Sequence, residues 1–293
     1  MTDRTRPGTT NPLAKGHGAT KRGATEPVRL RPSGPRAGGG TRTAGRLAAL
    51  GRAELTLLVR NRTALFMALL MPVAMLWLIR LTVSGSRAAG TGTSATETAM
   101  PGGIGVVLVL VVYANLVPAY VARREELVLK RLRTGEAKDL EILAGTALPS
   151  VSVALAQCAL LVGAGTLILD VTAPKQPELL LAGVLLGSLL LVALAAVSSA
   201  VTRTVESAQL TVLPLMAVSF FGSGLFVPPD VMPERLSDVM RLMPLTPVVD
   251  LVRYGWLGGA GADEVLYALV RAVAWTALSV FAVRRWFRWE PRR

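Results

Sequence analysis

From Gly102 to Val121, from Pro149 to Leu169 and from Leu179 to Val201 the chain carries no charged residue. A run of about 20 mostly apolar residues is long enough to cross the hydrocarbon layer of a bilayer as a helix, and a helix satisfies its own backbone where water is absent. Three further stretches meet the same requirement with interruptions. Ala64 to Leu81 ends beside Arg80, which can snorkel to the headgroups; Thr211 to Val227 is short and punctuated by glycine; Val265 to Val283 contains Arg271. Hydrophobic residues make up 52% of the chain and its mean hydropathy is +0.49, gathered into runs where a water-soluble domain would spread them in stripes. The expected fold is therefore an all-α integral membrane protein with six transmembrane helices.

Around this 63–285 span region the sequence changes character. Residues 1–43 are rich in Gly, Pro, Thr, Arg and Lys without an apolar run, which predicts a disordered basic tail; no signal-peptide core is expected in it. Residues 44–62 turn to helix formers. At 100° per residue Arg52, Thr56 and Arg60 share one face and Leu47, Leu50, Leu57 and Leu58 another, with Glu54 interrupting the apolar stripe. This predicts a helix lying on the membrane surface ahead of the first span, the competing reading being a simple extension of that span. Between the fifth and sixth spans, residues 228–264 mix five prolines and several charges with repeats such as Val248, Val252 and Trp256. Short amphipathic or re-entrant helices are expected there. Residues 286–293 form a basic C-terminus.

Positive charge sets the orientation, because cytoplasmic flanks retain Lys and Arg during insertion. Six spans put both termini on one side, and the segments on that side hold 25 of the 32 lysines and arginines. Both termini are expected in the cytoplasm. The net charge of +13 follows from this bias and from attraction to anionic lipid, so no nucleic-acid partner is inferred.

The chemistry of catalysis is scarce. The chain has one histidine, His17 in the tail, and one cysteine, Cys158 in the third span, so neither a metal cluster nor a His-based nucleophile pair can be assembled. No glycine is followed by lysine, which removes the usual phosphate loop. Catalytic, metal and directly bound cofactor sites are all expected to be absent. Carboxylates are missing from the interiors of the second to fifth spans, so proton- or ion-coupled transport has no evident relay. Gly183 and Gly187 form a small-residue pair that suits either packing within the subunit or a dimer face.

The charged loop after the second span, RREELVLKRLRTGEAKDLEILAG from Arg123, is the densest knot of charge in this apolar chain. Val128, Leu129 and Leu132 make an apolar edge, and Glu126 and Lys130 form a favourable i,i+4 pair, predicting an amphipathic helix stopped at Gly135. A second short helix from Glu136 would lead back to the membrane with Leu140 and Leu143 inward. Composition leaves a plain orientation signal and a docking element equally open.

Three segments then resemble one family: this loop, LAAVSSAVTRTVESAQL joining the fourth and fifth spans, and FFGSGLFVPPDVMPERLSDVMRLMPLTPVVDLVRYGWLGG between the fifth and sixth. They resemble type-2 ABC transporter permeases, the six-span membrane subunits of bacterial exporters such as those conferring daunorubicin resistance. Departures lie at Glu125, Glu126 and Leu127, where Arg-Glu-x-Gly is common, and at Gly222–Gly224, where Leu-Ser-Gly is common. The resemblance implies a permease in the bacterial cell membrane, exporting an amphipathic drug, secondary metabolite or lipid. It implies a second permease copy, and a separate ATP-binding subunit holding the ATP and magnesium. The coupling contact would fall on Arg123, Arg124, Glu125, Glu126, Lys130, Arg131, Arg133, Glu136, Asp139 and Glu141, with Arg52, Glu54 and Arg60 of the surface helix as a second contact. Gly222, Gly224 and Arg271 are candidate gate or pathway residues. The alternatives are an ATPase-independent carrier or channel, or a membrane-embedded assembly factor.

Overall fold

The computed structural model describes residues 95–125, 139–168, 171–225 and 232–286, together with positions 70, 74, 77 and 81. The expected tail at 1–43, the surface helix at 44–62 with Arg52, Glu54 and Arg60, most of the first span, and the loop residues Glu126, Lys130, Arg131, Arg133 and Glu136 lie outside them. Leu70, Ala74, Trp77 and Leu81 are helical and exposed, at the spacing of a single helix face.

The elements are helices: α1 (Ala95–Val107), a π-helical stretch (Leu108–Ala114), α2 (Asn115–Glu125), α3 (Asp139–Ile168), α4 (Pro177–Val201), α5 (Val205–Gly222), α6 (Glu234–Arg241), α7 (Thr246–Leu257) and α8 (Ala262–Trp286). Among the described residues five rods are long and apolar enough to cross a membrane: Glu97–Glu125, Leu143–Ile168, Pro177–Val201, Val205–Gly222 and Ala262–Arg285. They correspond to the expected second to sixth spans, with shifted bounds. The third begins well before Pro149: one 30-residue helix runs from Asp139 through that proline, so Leu140 and Leu143 belong to it and not to a separate short helix. The fifth ends at Gly222, five residues before Val227, where the chain bends through Ser223–Leu225.

The second span is the core element. Two-thirds of its most apolar window is buried inside the protein, against 17% for α5. Within it the ladder widens to π turns at Leu108–Ala114, just ahead of Pro118. Pro118 has no N–H to offer the Ala114 carbonyl, so the wide turns end where the regular pairing would fail. Around this rod Leu108, Leu116, Val117, Leu161, Leu190 and Val248 form one buried cluster. Phe221, Leu167 and Leu210 stand largely exposed on the outer helices. Apolar surface of that kind is tolerated where the surrounding solvent is lipid.

Consecutive spans alternate in direction. Tyr120 meets Leu143, and Arg124 meets Ser199 and Thr202, so the end of α2, the start of α3 and the end of α4 share one end of the bundle. At the opposite end Glu97 accepts hydrogen bonds from the Thr172 amide and hydroxyl, and Gly165 packs on Met100. The two are called the loop end and the far end below.

Candidate functional site

At the loop end the charged loop issues from α2. Arg123 is half-buried and Glu125 exposed, but Arg124 is 1% exposed. Its Nη1 donates to the Ser199 carbonyl at 2.8 Å and its Nη2 to the Thr202 carbonyl. Those carbonyls belong to the last turn and cap of α4, where helical C=O groups lack partners within the helix and the helix dipole favours a cation. Arg124 therefore faces the bundle rather than solvent. One turn earlier the Tyr120 hydroxyl donates to the Leu143 carbonyl at 3.0 Å, and the Tyr113 hydroxyl lies 2.9 Å from Ser198 Oγ. Three side chains of one rod thus hold the start of α3 and the end of α4. The corner that follows is itself locked. Thr204 Oγ1 accepts from the Ser207 amide at 3.2 Å, Ser207 Oγ accepts from the Thr204 amide at 3.0 Å, and α5 begins there.

Of the loop residues expected to couple, Arg123, Arg124 and Glu125 come together at the end of α2, and the backbones of Asp139 and Glu141 lie in the first turn of α3. Tyr113, Tyr120, Ser199 and Thr202 were not among the expected site residues. Tyr120 and Arg124, four apart on a helix, carry the pattern that could have signalled a shared inward face.

At the far end the segment between the fifth and sixth spans forms two unlike helices. In α6, Leu236 and Val239 are exposed while Ser237 and Met240 are buried. In α7 eight of twelve residues are buried, including Val248, Val252 and Trp256. The α7 helix lies antiparallel against α4, in a register set by glycine. A methyl group on Gly187 would stand 2.6 Å from Val248 Cγ1, one on Gly183 2.9 Å from Val252 Cγ2, and one on Gly255 would run into the Leu180 backbone. The Gly183/Gly187 pair therefore serves packing inside the subunit. Since Gly187 lies ten residues into α4, the start of α7 reaches about 15 Å or more along it at 1.5 Å per residue. The end of α7 returns to the start of α4, where the Gln176 amide donates to the Gly255 carbonyl at 2.9 Å. Gly258, with φ +70°, then terminates the helix.

Gly222 closes α5 against Met243, and Gly224 adopts φ +71°. The Gly224 carbonyl accepts from Arg253 Nη2 at 2.7 Å, while Arg253 Nη1 donates to Asp250 at 3.3 Å. Leu225 fills the space opened by Gly102 and Gly105 on α1; a Cβ on either would collide with it. Arg253 and Arg271 line one cleft with Arg241, so the residue that bonds the Gly224 carbonyl shares that cleft with Arg271.

Near the loop end an apolar cavity of about 210 Å³ opens between Tyr120, Leu143, Leu189, Ala196 and Val283. Among the described residues no three His, Cys, Asp or Glu side chains converge as metal ligands. Cys158 is a buried free thiol within α3.

The sequence matches the family model for the ABC-2 type transporter over residues 46–257, more than two thirds of its 293 residues. No curated relative matches the chain. The matched region ends with α7, so it takes in both the Arg124 tie at the loop end and the glycine-packed half-helix at the far end. This chain belongs to the ABC-2 type transporter family, as a multi-pass membrane permease subunit and not a catalytic domain.

Proposed function

We propose that this permease is the membrane half of an ATP-driven exporter in the bacterial cell membrane, with both termini in the cytoplasm. A separate ATP-binding subunit docks within Arg123–Glu141, and that subunit binds the ATP and magnesium. A second permease copy completes the pathway. The observation that carries this reading is the Arg124 tie: the helix that delivers the charged loop grips the α4–α5 corner through the Ser199 and Thr202 carbonyls. A displacement of the loop by the partner is thereby passed to two further spans, as a two-state transporter requires. The cargo is an amphipathic drug, secondary metabolite or lipid, a class supported by the apolar cavity beside Tyr120 and Leu143.

The test is a double charge reversal, Lys130→Glu with Arg131→Glu, in the chain co-expressed with its ATP-binding subunit. The expected outcome is normal membrane insertion with loss of permease-stimulated ATP hydrolysis. Undiminished stimulation would reduce the loop to an orientation signal and sink the proposal.

A further inference from the structure

The cleft at the far end gathers several charged side chains. It has a volume of about 310 Å³ and, among the described residues, carries Arg241, Arg253 and Arg271 together with Asp250 and Glu264. Asp250 is engaged by Arg253 at 3.3 Å, and Glu264 Oε2 accepts the Gly261 amide at 3.1 Å. Arg271 is placed otherwise. Its guanidinium lies over the Tyr267 ring at 5.1 Å from the centroid. Its Nη2 is buried and has no acceptor within reach. A buried charged donor without an acceptor is unfavourable, and the defect is removed by an oxyanion, which a guanidinium binds through paired N–H groups. Arg271 lies nine residues from the start of α8, about 14 Å along a helix rising 1.5 Å per residue.

We propose that this cleft binds an anionic head group, with Arg271 as the anchoring donor. The shared chemistry is a phosphoryl-type oxyanion, supplied either by a lipid headgroup or by a free phosphate. The site is built from this chain alone and goes beyond the transport reading, so a failure of ATPase docking leaves it standing.

The test is equilibrium binding of dioctanoyl phosphatidic acid to the purified full chain in detergent, with no ATP-binding subunit present. Saturable binding is expected, roughly tenfold or more tighter than for dioctanoyl phosphatidylcholine, and Arg271→Gln should weaken it by a similar factor. Arg285→Gln, exposed at the other end of α8, should leave it unchanged. Equal affinity for the zwitterionic lipid, or undiminished binding by Arg271→Gln, would overturn the proposal. Should Arg271→Gln not fold, Glu264→Gln decides. It retains an oxygen for the Gly261 amide while adding one net positive charge to the cleft, so binding must tighten, and its failure to do so overturns the site. Inorganic phosphate as competitor separates the sources. Displacement at comparable concentration identifies a free oxyanion, and no displacement identifies the headgroup together with its chains.

Discussion

The two ends of the bundle are held together by different physics. At the loop end the spans are joined by long-range side-chain hydrogen bonds from Tyr113, Tyr120 and Arg124 of a single rod. At the far end Glu97 and Arg253 also make hydrogen bonds, but the helix faces themselves meet sterically, where Gly102, Gly105, Gly183, Gly187 and Gly255 let neighbouring chains approach closely. Directional bonds exist or do not, so a force delivered through α2 either moves the α4–α5 corner or breaks a discrete contact. Close packing tolerates almost no displacement and holds its partners as one block. The end that receives the charged loop is therefore suited to switching, and the end with the buried half-helix to rigid-body movement.

The largest expected effect lies at the loop end. Arg124→Met preserves much of the side-chain length but removes both donors from the α4 terminus. A loss of about 3 kcal/mol is expected from two charge-assisted bonds. It should be read as a lowered unfolding midpoint in detergent and, with the ATP-binding subunit present, as uncoupled ATP hydrolysis. An unchanged midpoint would break the contrast between the ends. Next comes a pair of identical substitutions in different surroundings. Gly102→Ala forces a methyl group into the Leu225 carbonyl, whereas Gly163→Ala meets nothing within 4 Å. The first should cost about 1–3 kcal/mol, the second within about 0.5 kcal/mol of nothing. Equal effects would show that steric closeness is not what holds the far end. The smallest expected change is Tyr113→Phe, which removes one hydroxyl pair with Ser198; about 1 kcal/mol should be lost, with no change in assembly.

The uncharged runs made the spans legible because a charge inside lipid is so unfavourable that its absence over 20 residues is informative. The start of the third span was misplaced for an instructive reason. Proline is favoured at the first turn of a helix, so Pro149 resembled a beginning, yet the chain is already helical from Asp139 and carries the proline inside it. The repeat of Val248, Val252 and Trp256 correctly suggested a helix between the fifth and sixth spans, and its buried face is the glycine side of α4. Arg124 was unreadable in its role. Arg123 and Glu125 beside it are charged too, and only the proximity of the last α4 carbonyls, 75 or more residues away, sets it apart. Arg253 was hidden in the same way, because its partner Gly224 lies 29 residues away across a bend.

The half-helix α7 has a consequence for biogenesis. With twelve residues, or about 18 Å at 1.5 Å per residue, it is too short to count as a crossing, and it leaves α8 starting at the far end toward which α5 runs. The parity of the chain is thus indifferent to α7: every other span keeps its sense whether or not this helix has been seated. Correct insertion and correct assembly are separate achievements in this protein, and the surface that distinguishes them is the glycine face of α4, which must already be in place to receive it.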